Sequence, residues 1–276
     1  MRGVPLPKIY GIEKLTGCVI AGVFFLLVTP VSGQQSAGMK RMPDGKPDLN
    51  GIWQAMNTAN WDLAEHASRP GLVVALGAMG AEPGGPGVLE GAEIPYLPAA
   101  LKQRQWNFAH RLSSDPEIKC YLPGVPRATY MPYPFQIFHS EKAIFFAYEY
   151  DGAVRNIYLE DPGPAPVDSW MGQSYGHWDG DTLVVDVTGL DERTWLDRAG
   201  DYHSNALHVI ERYTPVGPDI LSYEATIEDP QVYSHPWKIK MPLYRHVEKD
   251  ARLMEFKCVE FAEDLMYGQF AKKASK

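Results

Sequence analysis

The chain has 276 residues, 45% hydrophobic and 12% aromatic along its whole length, which excludes general disorder and supplies enough apolar surface for a core. With 26 basic against 34 acidic residues the net charge is −8, and no Lys/Arg cluster stands out, so nucleic acid is not an expected partner.

Lys8 and Lys14 precede an uncharged stretch, 15–39, whose apolar heart is VIAGVFFLLV at 19–28. A basic n-region, a short apolar run and the small residues Ser32-Gly33 read as a secretory signal peptide over 1–33, giving an exported, periplasmic or extracellular protein. The alternative is an uncleaved anchor, because the uncharged run is long enough to span a bilayer; membrane contact is expected only in that case. Cys18 precedes the apolar run instead of following it, which argues against lipidation.

Residues 34–48 are polar and turn-rich and read as an extended lead-in to a single domain over 49–276, which opens with a short strand at 49–53. Residues 71–91 are rich in Gly, Ala and Pro and predict a mobile loop or lid. Residues 98–112 (PAALKQRQWNFAHRL) predict a helix, with Pro98 in its first turn and Leu101, Gln105, Phe108 and Leu112 at helical spacing.

Beyond Cys120 the pattern turns to strands, at 135–139, 144–150, 154–159, 174–178, 181–187, 207–214, 220–227, 237–244 and 253–259. Asp151-Gly152 and Asp179-Gly180 between such runs mark tight hairpins. About nine strands in meander order with little helix must bury one face on themselves. The expected fold is therefore mainly β, a closed lipocalin-like barrel with one or two short helices, a β-sandwich being the alternative. A short amphipathic helix with a basic tail is expected at 260–276. Cys120 and Cys258 bracket the β-region, and a barrel brings its first and last strands together. A disulfide between them is expected in an oxidising compartment, against the alternative of two separate buried thiols.

Pro47-Asp48-Leu49-Asn50-Gly51-Ile52-Trp53, Leu122-Pro123-Gly124-Val125-Pro126-Arg127, Gly176-His177-Trp178-Asp179-Gly180-Asp181-Thr182-Leu183-Val184-Val185-Asp186 and Thr226-Ile227-Glu228-Asp229-Pro230 resemble a large family of secreted bacterial proteins without an assigned activity. The resemblance implies secretion and transfers no catalytic residue. Gly51-Ile52-Trp53 also resembles the Gly-x-Trp opening strand of lipocalin-type barrels.

Residues 195–212 concentrate His203, His208, Asp197, Asp201, Glu211, Arg198 and Arg212 between a hairpin and the next strand. Three readings stay open. His203 and His208 with Asp197 or Glu211 suit acid/base catalysis, since His titrates near neutrality. A metal site is disfavoured, because the spacing His203-x₄-His208-x₂-Glu211 matches no established ligand pattern. The same groups also suit a hydrogen-bonded network closing one barrel end. Arg155, Arg127, Tyr158 and Trp178 are candidate ligand-binding residues, with Arg155 inside the barrel or paired across a hairpin with Glu149. If a ligand site exists, Arg155 and at least one of the two histidines should share one concavity with aromatic walls, covered by 71–91 and capped by the helix.

Signatures of serine hydrolases, P-loop and dinucleotide enzymes, zincins and thioredoxin-like redox proteins are absent, so no cofactor is expected. The function expected is small-molecule binding. It takes the form either of a non-redox acid/base enzyme on a small, partly apolar aromatic substrate or of a carrier or scavenger; an envelope adaptor is the third alternative.

Overall fold

The computed structural model describes residues 38–71, 76 and 80–270. The expected signal segment and the last basic residues lie outside them. Among the described residues, nine strands follow one another around a closed barrel. They are β1 (Gly51–Ala55), β2 (Phe135–His139), β3 (Ile144–Tyr148), β4 (Val154–Tyr158), β5 (Gln173–Asp179), β6 (Thr182–Thr188), β7 (His208–Gly217), β8 (Ile220–Glu228) and β9 (Trp237–Arg245). β1 pairs with both β2 and β9, which closes the sheet and rules out a sandwich.

Every pairing is antiparallel except β4 with β5, which run parallel through Ile157↔Ser174 and Tyr158↔Tyr175. Parity requires this. Nine strands that strictly alternated would bring β1 and β9 together parallel; one parallel pair restores antiparallel closure. The residues between β4 and β5 supply the long crossover that a parallel pair needs.

Alternation sets the interior. Phe135, Ile137, Phe146, Tyr148, Val185, Val187, Val209, Tyr213, Tyr223, Ala225, Ile239 and Leu243 are among the buried inward positions. Gly176 occupies an inward position of β5 because a Cβ there would lie 2.5 Å from the Ile157 side chain. At the β5–β6 hairpin Asp179 pairs with Thr182, so the turn is Gly180-Asp181, and Gly180 supplies the positive φ of 61°.

Both ends are covered. The lead-in, 38–50, crosses one end, burying Met39 and Leu49 and pairing Arg41 with Asp181. The other end is plugged by α2 (Arg127–Tyr130), all four residues of which are buried, together with segments around Asn60, Asp115 and Asp197. The barrel is a filled core, unlike the open calyx of a ligand-carrying lipocalin.

Three sequence expectations need correction. Residues 253–259 form no strand; β1 takes the ninth place, and the segment instead runs outside the barrel, where Met254 N–H donates to Glu149. Helix α1 (Pro98–Ser114) is present, but its apolar stripe is not its docking face: Leu101 and Leu112 are exposed, while Ala100 and Asn107 are buried. Arg104, Asn107 and Arg111 anchor that face through Asp201, Gly200 O and Glu82, because the helix lies on a polar plug and not on an apolar core. The described part of 71–91 is no mouth lid. Glu82 and Gly85 ladder with Arg69 and His66, and Leu89 bridges to Ile239 on β9. Its glycines serve close packing: a Cβ on Gly84 or Gly87 would come within 2.7 or 2.5 Å of neighbouring backbone nitrogens.

The Cys120–Cys258 disulfide is formed, with Cα atoms 5.5 Å apart and a sequence separation of 138. It does not join the first and last strands. Cys120 follows a 3₁₀ turn (Pro116–Lys119), and Cys258 belongs to the segment after β9, so the bond clips that segment to the plugged end. The segment then continues into α3 (Ala262–Tyr267).

Candidate functional site

Arg155 and Glu211 meet inside the barrel as an ion pair whose side chains are 1% and 0% exposed. Glu211 also accepts from the Tyr213 and Tyr223 hydroxyls at 2.9 and 2.8 Å, and Arg155 Nε donates to Ser174 Oγ at 2.6 Å. Four strands thus supply one polar knot in an otherwise apolar core; within it Arg155 Nη1 and the nearby Tyr148 hydroxyl have no hydrogen-bond partner among the described residues. Charges so deeply buried persist only when paired and hydrogen-bonded.

The plugged end carries a second network. Arg127 is forked onto Asp115 at 3.0 and 3.1 Å, reaches Glu117 at 2.6 Å, and donates to Asn60 at 2.8 Å. Arg198 grips both oxygens of Glu117 at 2.8 Å. Burial pushes the Glu117 carboxyl up, but Arg198 and Arg127 outweigh it and hold its pKa down to about 2.

Beside it, one oxygen from each of Asp62, Asp197 and Asp201 lies within 4.8 Å of the others. Arg69 pairs with Asp62 at 2.5 Å and Arg104 with Asp201 at 2.9 Å. Burial, and next the charge of Asp201, raise Asp197 well above the usual carboxylate range. Burial opposes ionisation of Asp201 as well, but Arg104 and a hydrogen bond from Asp197 keep it ionised. Two guanidinium groups and one proton balance three carboxylates in charge, while Asp201 Oδ2 is buried with no hydrogen-bond partner among the described residues.

The sequence candidates are therefore dispersed. His203 is buried, bonded to Thr194 Oγ1 at 2.6 Å and to Ser204 O at 2.8 Å, and burial lowers its pKa. His208 stands on the outer barrel face between Asp186 at 3.0 Å and Glu228 at 3.2 Å. Asp197 and Arg127 sit in the plug, and Glu211 and Arg155 in the barrel interior. Trp178 lies at the opposite end, near Lys46 and His139. Tyr158 borders a shallow groove of about 310 Å³ under the β4–β5 crossover; Arg155 borders it too, but its guanidinium is turned into the barrel. Among the described residues, the groove that Arg155 borders is lined by neither histidine.

The concavity that does adjoin a charged, buried network lies outside the barrel, at the plugged end. It measures about 160 Å³, between α1, the 3₁₀ turn before Cys120, and the disulfide-clipped segment. Leu112, Ile118, Val259 and Phe261 contribute aliphatic and aromatic wall, and Glu117 and Arg198 form part of its polar side. Tyr133, Tyr150 and Phe256 pack there ring to ring, with centroids 4.5 to 5.7 Å apart. Tyr150 OH donates to Glu117 O at 3.2 Å, and burial holds its proton on. Sequence reasoning missed this cavity, because its lining comes from segments far apart in the chain that are joined by one disulfide. Met254-Glu255-Phe256-Lys257-Cys258 alternates as a strand does, so the sequence carries no signal that sets this wall apart from the true strands.

Comparison with protein-family models, curated proteins and solved structures finds no match.

Proposed function

We propose that this is an exported small-molecule-binding β-barrel protein, a carrier or scavenger whose site is the cavity beneath the disulfide-clipped segment. One observation carries the reading: a concavity with aromatic and aliphatic walls lies against a few placed charged groups, Glu117 and Arg198 among them, the usual build of a small-ligand site. The disulfide fits an oxidising compartment, as export requires.

Turnover by acid/base chemistry is the weaker reading. A general acid or base must exchange protons near working pH within reach of substrate. Glu117 stays ionised and Tyr150 stays protonated across that range, while His203 and Asp197 are buried away from the cavity. His208 has both ring nitrogens against carboxylates on the outer face.

A thermal-shift screen of mature protein against phenolics, amines, lipids and sugars tests the proposal. Binders should raise the melting temperature. Leu112→Trp, which fills the cavity, should remove the rise. An adaptor recognised through its surface gives no rise with any compound, and a rise insensitive to Leu112→Trp would place the ligand elsewhere.

A further inference from the structure

The ligand class of this cavity follows from its charge balance, on the footing that the cavity is the binding site. Glu82, Asp115 and Glu117 border it, and each is already answered by arginine: Glu82 by Arg111 at 3.0 Å, Asp115 by Arg127, and Glu117 by Arg127 and Arg198. Arg69, which also approaches Glu82 at 3.8 Å, is bound more closely to Asp62. Three guanidinium groups therefore match three carboxylates.

Glu263 and Asp264 also border the cavity, from the first turn of α3; among the described residues neither makes a salt bridge, and the Glu263 charge is felt only by Arg198, which is already bound to Glu117. They leave the wall with an excess of two negative charges. An anion brought here meets that excess, and a neutral ligand makes no use of it.

The apolar side has a matching preference. Tyr133, Tyr150 and Phe256 offer ring surface to the same space, and aromatic faces attract cations, the more so where water is excluded. Size sets the third limit. A cavity of about 150 Å³ accommodates one benzene ring, and this one is about 160 Å³.

We propose that the cavity takes a small organic cation: an ammonium group on an apolar body about the size of one aromatic ring. The ammonium lies toward Glu263 and Asp264, and the body lies against Tyr133, Tyr150 and Phe256. The wider chain, acidic overall at −8, attracts such cations rather than repelling them.

Calorimetric titration of the disulfide-intact protein with benzylamine, benzyl alcohol and benzoate tests this, since the three share one ring and differ in charge. Benzylamine should bind about tenfold more tightly than benzyl alcohol, and benzoate more weakly than either. Added salt should weaken benzylamine alone. The double variant E263Q/D264N should bring benzylamine to the level of benzyl alcohol and leave the alcohol unchanged. Because both positions are exposed on α3, this variant keeps the fold. Equal or tighter binding of benzyl alcohol or benzoate, abolished by Leu112→Trp, would overturn the cation assignment and leave the cavity as the site. Binding of none of the three would overturn both.

Discussion

Replacing Glu211 by Gln should destabilise the barrel by about 3–5 kcal/mol, the cost of stranding one member of a buried ion pair. The Gln carbonyl can still accept from the Tyr213 and Tyr223 hydroxyls that Glu211 Oε1 serves now, at 2.9 and 2.8 Å. What is lost is the charge opposite Arg155, whose side chain is 1% exposed. Glu211→Ala would add two unpaired hydroxyls at about 1–3 kcal/mol each. That total approaches the ~5–15 kcal/mol stability of a whole domain, so the alanine variant should not fold. Arg155→Met should cost a similar ~3–5 kcal/mol, by stranding Glu211. The double variant R155M/E211Q removes both charges and puts a flexible apolar chain beside Phe146, leaving chiefly the Ser174 hydroxyl unpaired. Its cost should fall to about 1–2 kcal/mol, so the singles and the double should disagree by several kcal/mol. Urea unfolding of the four proteins with the disulfide intact, followed by circular dichroism at constant slope, measures that cycle. Additivity to within about 0.5 kcal/mol, or a single-variant cost below about 1 kcal/mol against the expected penalty, would refute the coupled-pair account.

Three further outcomes follow from the plugged end and its clip. Folded Asp197 keeps a proton that the unfolded chain gives up above about pH 4. Its contribution is therefore greatest below that pH and lost as pH rises through the raised folded value. D201N, which offers Asp197 a neutral donor in place of a like charge, should flatten that part of the stability–pH profile; an unchanged slope would count against the shared proton. Glu117 acts with the opposite sign: its stabilisation holds above the ordinary carboxylate range and is lost as pH falls toward about 2, so E117Q should be less stable at neutrality and show a shallower acid limb. Removing the disulfide with C120S/C258S forfeits about 5 kcal/mol of unfolded-state restriction on the chain-entropy account. Because Cys258 lies beyond β9, hydrogen exchange should quicken in 250–270 well before the strands, and uniform quickening would contradict a local clip.

Where local chemistry decides, the fold was legible. The alternation in DTLVVDV, the glycine needed for positive φ at Gly180, and Pro98 opening a helix each act within a few residues. The barrel class followed from them; the Cys120–Cys258 pairing was expected too, but for a reason, first strand meeting last, that the structure does not bear out. What escaped was set by long-range partners. Leu253–Val259 carries apolar residues like a strand, yet β1 already holds the place beside β9. Gly84 and Gly87 look like markers of freedom until the backbone packed against them is known. His203, His208, Asp197 and Glu211 are near in sequence and chemically suggestive; that a strand turns His208 and Glu211 to opposite faces is legible from alternation, but that Glu211 takes the interior to meet Arg155 is not. Arg127 reads in the sequence as a candidate ligand-binding residue; that it would bind two acids twelve and ten residues upstream could not be read from spacing.

The antiparallel seam between β1 and β9 bears on the order in which the barrel assembles. Gln54 and His246 touch across it at 2.9 Å, 192 residues apart in the chain. A chain emerging N-terminus first makes β1 early, and β2, which starts 80 residues after β1 ends (135 − 55), is the first strand able to cover one of its edges. The other edge has no partner until β9 arrives, and closing so long a loop comes late and slowly. The long β7–β8–β9 meander, joined by short turns, can form on its own in the meantime. Until the seam shuts, two strand edges stand open to any neighbouring chain, and the hazard of mispairing belongs to that interval and not to the finished protein.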